Sequence, residues 1–188
     1  NPKEVLSEKY LERYQEARES DEVINIISKE DLENNDFTKD KEKLTWKYKA
    51  EMVPDFAFAT SDHYLWDARS VEVEEGRRVV TSAAYKEESQ DFYEVAEVSA
   101  KTVEYLSKEL PGVPFPWPEV TVFNGRGGME FPMMVNDGST KTRDGMVGVT
   151  SHEIAHTYMP FYLGTNERKY AFMDEGWATG DIIEKKKV

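Results

Sequence analysis

The stretch HEIAH, residues 152–156, holds two of the three histidines of this 188-residue chain. On a helix, residues four apart lie on the same face one turn apart, so His152 and His156 can present ring nitrogens to a single ion. Glu153 would lie beside that ion, which is where a general base for a water molecule belongs. A catalytic zinc site uses three protein ligands, and Glu175, with eighteen residues between it and His156, can supply the third. The pattern predicts a Zn²⁺ site.

A purely structural role is the alternative for the two histidines, because hydrogen-bonded histidines also occur on half-buried helices. Composition alone would produce this motif in roughly one such chain in a hundred or fewer, so we favour the metal site. His63, in SDHYLW, stands alone, and we expect it to be structural or exposed. The turn NGRGG lacks the lysine and the following helix of a phosphate-binding loop, and we do not assign it a phosphate.

Two helices are needed to position the candidate ligands. The apolar spacing predicts one helix over residues 145–163, with Gly164 as its C-terminal stop, and a final helix over DEGWATGDIIEKK, residues 174–186. Trp177 and Ala178 would pack the final helix against its neighbour. Tyr158 and Tyr162 are expected to fill the core rather than touch a substrate.

The elements before these helices predict an α+β fold, with a mixed sheet that carries a helix and is followed by two more helices. Pro132 cannot donate to a sheet ladder, so its strand is placed at an edge. The predicted elements are an amphipathic helix over residues 1–20, a loop or linker over 30–43, strands at 44–49, 55–60, 78–85, 120–123 and 129–135, a helix over 89–110 and a turn at Glu75-Gly76.

The amino-acid composition excludes some classes of binding partner and metal ligand. A net charge of −13 argues against a nucleic-acid partner, because such proteins need a basic surface. The chain has no cysteine, so a metal must be held by nitrogen and oxygen atoms. No apolar stretch approaches the roughly 18 residues of a membrane span. The sequence leaves the compartment open, with a periplasmic or secreted location as one option.

The motifs together resemble the gluzincin metallopeptidases of the aminopeptidase N type. HEIAH, the glutamate of DEGW and the upstream GGMEF carry the resemblance, which runs over residues 44–183 and includes the entry segment LTWKYKAEMVPDFAFATS. It implies a zincin-like (thermolysin-like) catalytic domain, a mixed β-sheet followed by zinc-binding helices, over residues 44–188. Residues 1–43 would be a helical connecting segment and linker.

The resemblance also implies roles for individual residues. His152, His156 and Glu175 would be the zinc ligands, and Glu153 would be the base that later passes a proton to the leaving amine. In GGMEF, Glu130 matches the glutamate that binds the free α-amine of the substrate in that family. Phe131 stands where the family has asparagine, which changes the shape of the first subsite.

Backbone groups of Gly128 and Met129, at the predicted sheet edge, could pair with an extended peptide. Together with the amine-binding role implied for Glu130, this makes a peptide with a free N-terminus the expected substrate.

The family also has an oxyanion-stabilising tyrosine and a helical domain further downstream. We therefore expect a fragment truncated at its C-terminus, which belongs with other domains of a parent polypeptide and is weakly active or inactive alone. The preferred function is a zinc aminopeptidase. A zinc endopeptidase on the same site is one alternative, which would accept N-terminally blocked peptides, and a non-catalytic peptidase-like binding domain, which would not need zinc, is another.

Overall fold

The structure, a computed structural model, describes residues 1–181 and has an α+β fold built on one mixed six-stranded sheet. A 3₁₀ turn (Gln90–Glu94) precedes α4, and a π turn (Thr157–Tyr162) follows α5. The helices are α1 (Pro2–Val5), α2 (Glu8–Ala17), α3 (Lys29–Asn34), α4 (Val95–Lys108), α5 (Arg143–Ala155) and α6 (Ala171–Asp181), and the strands are β1 (Ile24–Ile27), β2 (Leu65–Glu74), β3 (Arg77–Tyr85), β4 (Glu119–Asn124), β5 (Glu130–Phe131) and β6 (Met134–Asp137).

The sheet has the strand order β1-β2-β3-β4-β6-β5. β2 and β3 form an antiparallel hairpin through the predicted turn, where Gly76 has a φ of +74° that suits a residue without a side chain. β3, β4 and β6 run parallel to one another, and β5 pairs antiparallel with β6 at the edge. The predicted strand over residues 129–135 is therefore a short hairpin, and the segment before Pro132 is its edge strand.

Helices cover both faces of the central strands. On one face, α4 packs against β2 and β3 and buries side chains that include Val79, Phe92 and Val103. On the other face, α2 packs against β1 and β2, and Ala17, Ile26 and Ala68 are buried between them. Because both faces are covered, most consecutive residues of β2 and β3 are buried instead of alternating between buried and exposed.

The two strands predicted over residues 44–49 and 55–60 are wrong. The chain has no regular strand there, and the side chains of Trp46, Tyr48, Phe56 and Phe58 are exposed. An alternating pattern gives a strand only where a neighbouring strand accepts its hydrogen bonds. Both edges of β3 are already paired, with β2 and with β4, so residues 44–60 have no place beside it.

The polar stretch over residues 30–43, predicted as a loop or linker, begins within a helix, α3. A capping box starts α3, with the Ser28 backbone N–H donating to Asp31 at 2.9 Å. Asp31 is buried and also accepts from Lys9 and Arg13, which ties α3 to α2. The predicted helix over residues 1–20 is present as α1 and α2, interrupted at Leu6.

The predicted domain boundary at residue 43 stays a prediction, although β1, from the segment before it, pairs with β2 in the common sheet. Residues 182–188, at the end of the predicted catalytic domain and final helix, lie outside the described residues. None of the helices within residues 1–181 is long and apolar enough to cross a membrane.

Candidate metal centre

The helix α5 carries His152, and His156 is the residue that caps its C-terminal end. Its first turn is capped by Thr142, whose hydroxyl accepts a hydrogen bond from the Gly145 N–H at 3.1 Å. Further along, the Thr150 hydroxyl donates to the buried carboxylate of Asp137 at the end of β6, at 3.0 Å. These contacts fix the helix against the sheet edge that also carries β5.

The predicted helix over residues 145–163 is shorter than expected, because α5 ends at Ala155. Met159 has extended dihedral angles and Pro160 has no N–H to donate, so the chain passes through the π turn instead of continuing the helix. Tyr158 is buried as predicted, with its ring 6.0 Å from that of Trp177. Tyr162 is 53% exposed, so its predicted place in the core is wrong.

The next helix, α6, brings the third candidate ligand to α5. Ala178 is fully buried and Trp177 packs against the core, as predicted for the contact between the two helices. Glu175, one turn earlier, extends to the histidines from the more exposed side of the site.

The three predicted ligands converge. The Nε2 atoms of His152 and His156 are 3.1 Å apart, and Oε2 of Glu175 lies 3.1 Å from the first and 3.9 Å from the second. A tetrahedral zinc ion with bonds of about 2.0–2.2 Å holds its ligand atoms roughly 3.3–3.6 Å apart. The observed separations bracket that range, and two imidazoles with one carboxylate are a donor set that suits zinc. The residues present therefore fit the ion.

The charge state of the His152 ring also suits a metal ligand. Burial lowers its pKa, and so does the neighbouring His156, while the carboxylate of Glu175 opposes this shift. A lowered pKa keeps the ring neutral near pH 7, and only the neutral ring has a lone pair for a metal.

Glu153 lies on α5 beside the ligands and is 7% exposed. Burial, with repulsion from the carboxylates of Asp137 and Glu130, raises its pKa to about 8. Gly128 lies next to the Glu153 carboxylate, since a Cβ added at position 128 would lie 2.2 Å from Oε1 of Glu153. The space for this carboxylate therefore depends on the absence of a side chain at position 128.

Glu130, on the edge strand β5, reaches the same site. Its carboxylate shares a hydrogen bond with Glu153, and ligand atoms of Glu130, Glu153 and His156 lie within 4.8 Å of one another. The structure thus places the predicted amine-binding carboxylate beside the predicted base.

The backbone pairing predicted for Met129 is wrong. Its N–H donates to the Asn136 carbonyl at 3.1 Å and its carbonyl accepts from the Asn136 N–H at 2.9 Å, so both groups are used within the hairpin. In an antiparallel pair the flanking residues turn their backbone groups the other way, toward the outer edge. Gly128 and Glu130 are therefore the positions whose backbone faces outward.

Similarity to known proteins is found at the level of structure. No protein-family model matches the chain, and no curated protein matches it significantly. Among the solved structures that match is a mutant of the M1 zinc metallopeptidase from Deinococcus radiodurans, with 18% sequence identity and a TM-score of 0.48. The match covers 62% of this chain and 26% of that chain, so the chain spans about a quarter of that protein. A likeness of this extent does not establish a family.

Sequence reasoning missed Asp174, which directly precedes Glu175. Asp174 is 4% exposed, and its Oδ1 lies 2.5 Å from Nδ1 of His156. Two adjacent carboxylates at the start of a helix gave no sign that one of them would be buried. His63 is exposed and pairs with its neighbour Asp62 at 2.7 Å, in agreement with a surface role.

Proposed function

We propose that this chain carries the metal and substrate site of a zinc-dependent metallopeptidase that removes N-terminal residues from peptides. One observation carries the proposal: two imidazole nitrogens from α5 and its C-terminal cap and a carboxylate oxygen from α6 converge, with separations that bracket those around a tetrahedral cation. His152, His156 and Glu175 would hold the zinc ion. When bound, the ion would polarise the scissile carbonyl and lower the pKa of a water molecule.

Glu153 is the general base in this proposal. Its carboxylate is buried next to the ligands, and the charge of a bound ion would oppose the shift that raises its pKa to about 8 in the metal-free chain, which leaves it deprotonated to accept the proton of water. The same group would then pass that proton to the leaving amine. Oε1 of Glu153 lies against Gly128, so a side chain at position 128 would displace the base.

Glu130 supports the assignment to an aminopeptidase. A carboxylate at the sheet edge, within hydrogen-bonding reach of Glu153, can accept from the ammonium group at the start of a peptide. An anchor this close to the ligands leaves space for one residue before the scissile bond, which is how an exopeptidase measures its substrate. Phe131, half-buried beside it, would contribute to the first subsite.

The test combines metal analysis with measurement of peptide hydrolysis. We expect one zinc per chain and cleavage of aminoacyl chromogenic substrates. Glu153→Gln should keep the zinc but lose about 10² to 10⁴ in turnover, since it removes general-base catalysis. Equal turnover by this variant would eliminate the base assignment.

Glu130 variants separate the possible substrates. We expect Glu130→Gln and Glu130→Ala to raise KM for free peptides, with Glu109→Gln, an exposed glutamate after the end of α4, as the control. Cleavage of N-acetylated peptides at the same rate as free ones, with indifference to Glu130→Ala, would point to an endopeptidase. Failure to bind zinc at micromolar concentration would leave a binding domain as the remaining function.

A further inference from the structure

The buried nitrogen of His156 has two hydrogen-bond partners. Nδ1 lies 3.1 Å from the carbonyl oxygen of Met159 and 2.5 Å from Oδ1 of Asp174. A backbone carbonyl oxygen can only accept a hydrogen bond, so the proton of the neutral ring must be on Nδ1. The lone pair is then on Nε2, the atom that faces His152 and Glu175.

Burial makes the contact between His156 and Asp174 more than a surface ion pair. The two side chains are 1% and 5% exposed. A carboxylate that is taken out of water costs several kcal/mol unless its hydrogen bonds are replaced, and the Nδ1–H of His156 is the donor for Oδ1. Asp174 and Glu175 are adjacent, so a single turn of α6 contacts the ring on both of its nitrogens.

His152 has no such arrangement. Within the described part of the chain, its hydrogen bonds and ion pair involve only Nε2, and Nδ1 has no protein partner. Its side chain is also 20% exposed, compared with 1% for His156. The two ligands of the pair are therefore held differently, and His156 is the one whose orientation and tautomer are determined by the protein.

We propose that Asp174 is a positioning residue that fixes His156 in the Nδ1–H tautomer and thereby presents Nε2 to the cation. A carboxylate that accepts from the far nitrogen of a ligating histidine also raises the basicity of the near one. The identity of the cation, Zn²⁺, rests on the proposed function. The tautomer does not, because it is a property of the metal-free chain.

The first experiment measures the tautomer directly. Nitrogen chemical shifts of ¹⁵N-labelled histidine, recorded on the metal-free chain, distinguish a protonated Nδ1 from a protonated Nε2. We expect Nδ1–H at His156 in the wild type and in Asp174→Asn, whose amide oxygen can still accept. Asp174→Ala should admit a measurable Nε2–H population at His156, whereas His63, which is exposed and pairs with Asp62, serves as an internal control that does not change.

The second experiment measures metal affinity by competition with a chromophoric chelator. Loss of such a carboxylate typically weakens metal binding 10- to 100-fold, so we expect that range for Asp174→Ala and a smaller loss for Asp174→Asn. The Co²⁺ absorption spectrum should shift in the alanine variant. Asp137→Asn is the matched control, because Asp137 is equally buried near the site but bonds to Thr150 rather than to a histidine.

A wild-type His156 with its proton on Nε2 would overturn the proposal. So would an Asp174→Ala variant with unchanged zinc affinity, or an asparagine variant as weak as the alanine one with an unaltered Co²⁺ spectrum, since that would indicate packing alone. If the alanine variant does not fold, the wild-type tautomer and the asparagine variant decide. Absence of zinc binding by the wild type would refute the proposed function and still leave the tautomer measurable.

Discussion

Replacement of Gly128 by alanine tests the contact that confines the base. The added Cβ would lie 2.2 Å from Oε1 and 3.2 Å from Cδ of Glu153. Non-bonded carbon and oxygen atoms need roughly 3.2–3.5 Å, so the carboxylate must withdraw by about 1 Å. The backbone of Gly128 does not have a positive φ, so alanine itself is not strained there.

A displacement of about 1 Å in a catalytic group can cost on the order of 10² in rate. We therefore expect Gly128→Ala to lower kcat about 100-fold, while it keeps the zinc and shifts Tm by no more than about 2–4 °C, which corresponds to roughly 1 kcal/mol. The assay is hydrolysis of an aminoacyl chromogenic substrate by the same polypeptide as the wild type, together with metal analysis and thermal unfolding.

Gly127→Ala is the matched control, because a Cβ at that position would meet nothing within 4 Å. It should retain most of the wild-type turnover. If the two variants differ by less than about threefold in kcat, the carboxylate of Glu153 either is not held against Gly128 or is not the group that moves the proton.

Three further predictions concern the ligand, the buried acids and the helix cap. Glu175→Gln should weaken zinc binding at least about 100-fold in a chelator competition, because it removes a ligand rather than a group behind one; an affinity close to that of the wild type would exclude Glu175 from the site. In the metal-free chain, Glu153 and Asp137 have pKa values raised to about 8 and about 7, above their values in the unfolded chain. The folded state then binds more protons, so stability should fall by a few kcal/mol as pH rises from about 5 to 8; urea unfolding across this range would contradict us if stability were constant or rising. Thr142→Ala removes the acceptor for the Gly145 N–H and should cost about 1 kcal/mol in the same urea assay, whereas no loss would mean that the cap does not stabilise α5.

The predicted site could be read from sequence because its ligands lie on helices. A spacing of four places His152 and His156 together in any helix, and the small buried Ala178 let the helix with Glu175 approach. The prediction failed where an outcome depended on tertiary contacts. Tyr162 fits a helical pattern, but the break at Met159 and Pro160 turns it outward.

The prediction of strands from sequence also failed where tertiary contacts decide the outcome. Trp46 and Tyr48 alternate with polar residues as a strand would, yet they stack on each other at a centroid separation of 6.2 Å without a partner strand. β2 was not identified beyond its turn, because burial on both faces removes the alternation that marks a strand. Asp174 was missed because the partner that buries it, His156, is distant in sequence.

The candidate ligands divide unequally between two helices, and this division has a consequence for assembly. The two histidines are local, since His152 lies in α5 and His156 at its C-terminal end. The third ligand joins only after a connection of eighteen residues has closed and α6 has docked. Before α6 docks, the chain would already offer two imidazole nitrogens to any divalent ion that such nitrogens suit, so discrimination among metals would be acquired in the last step of folding.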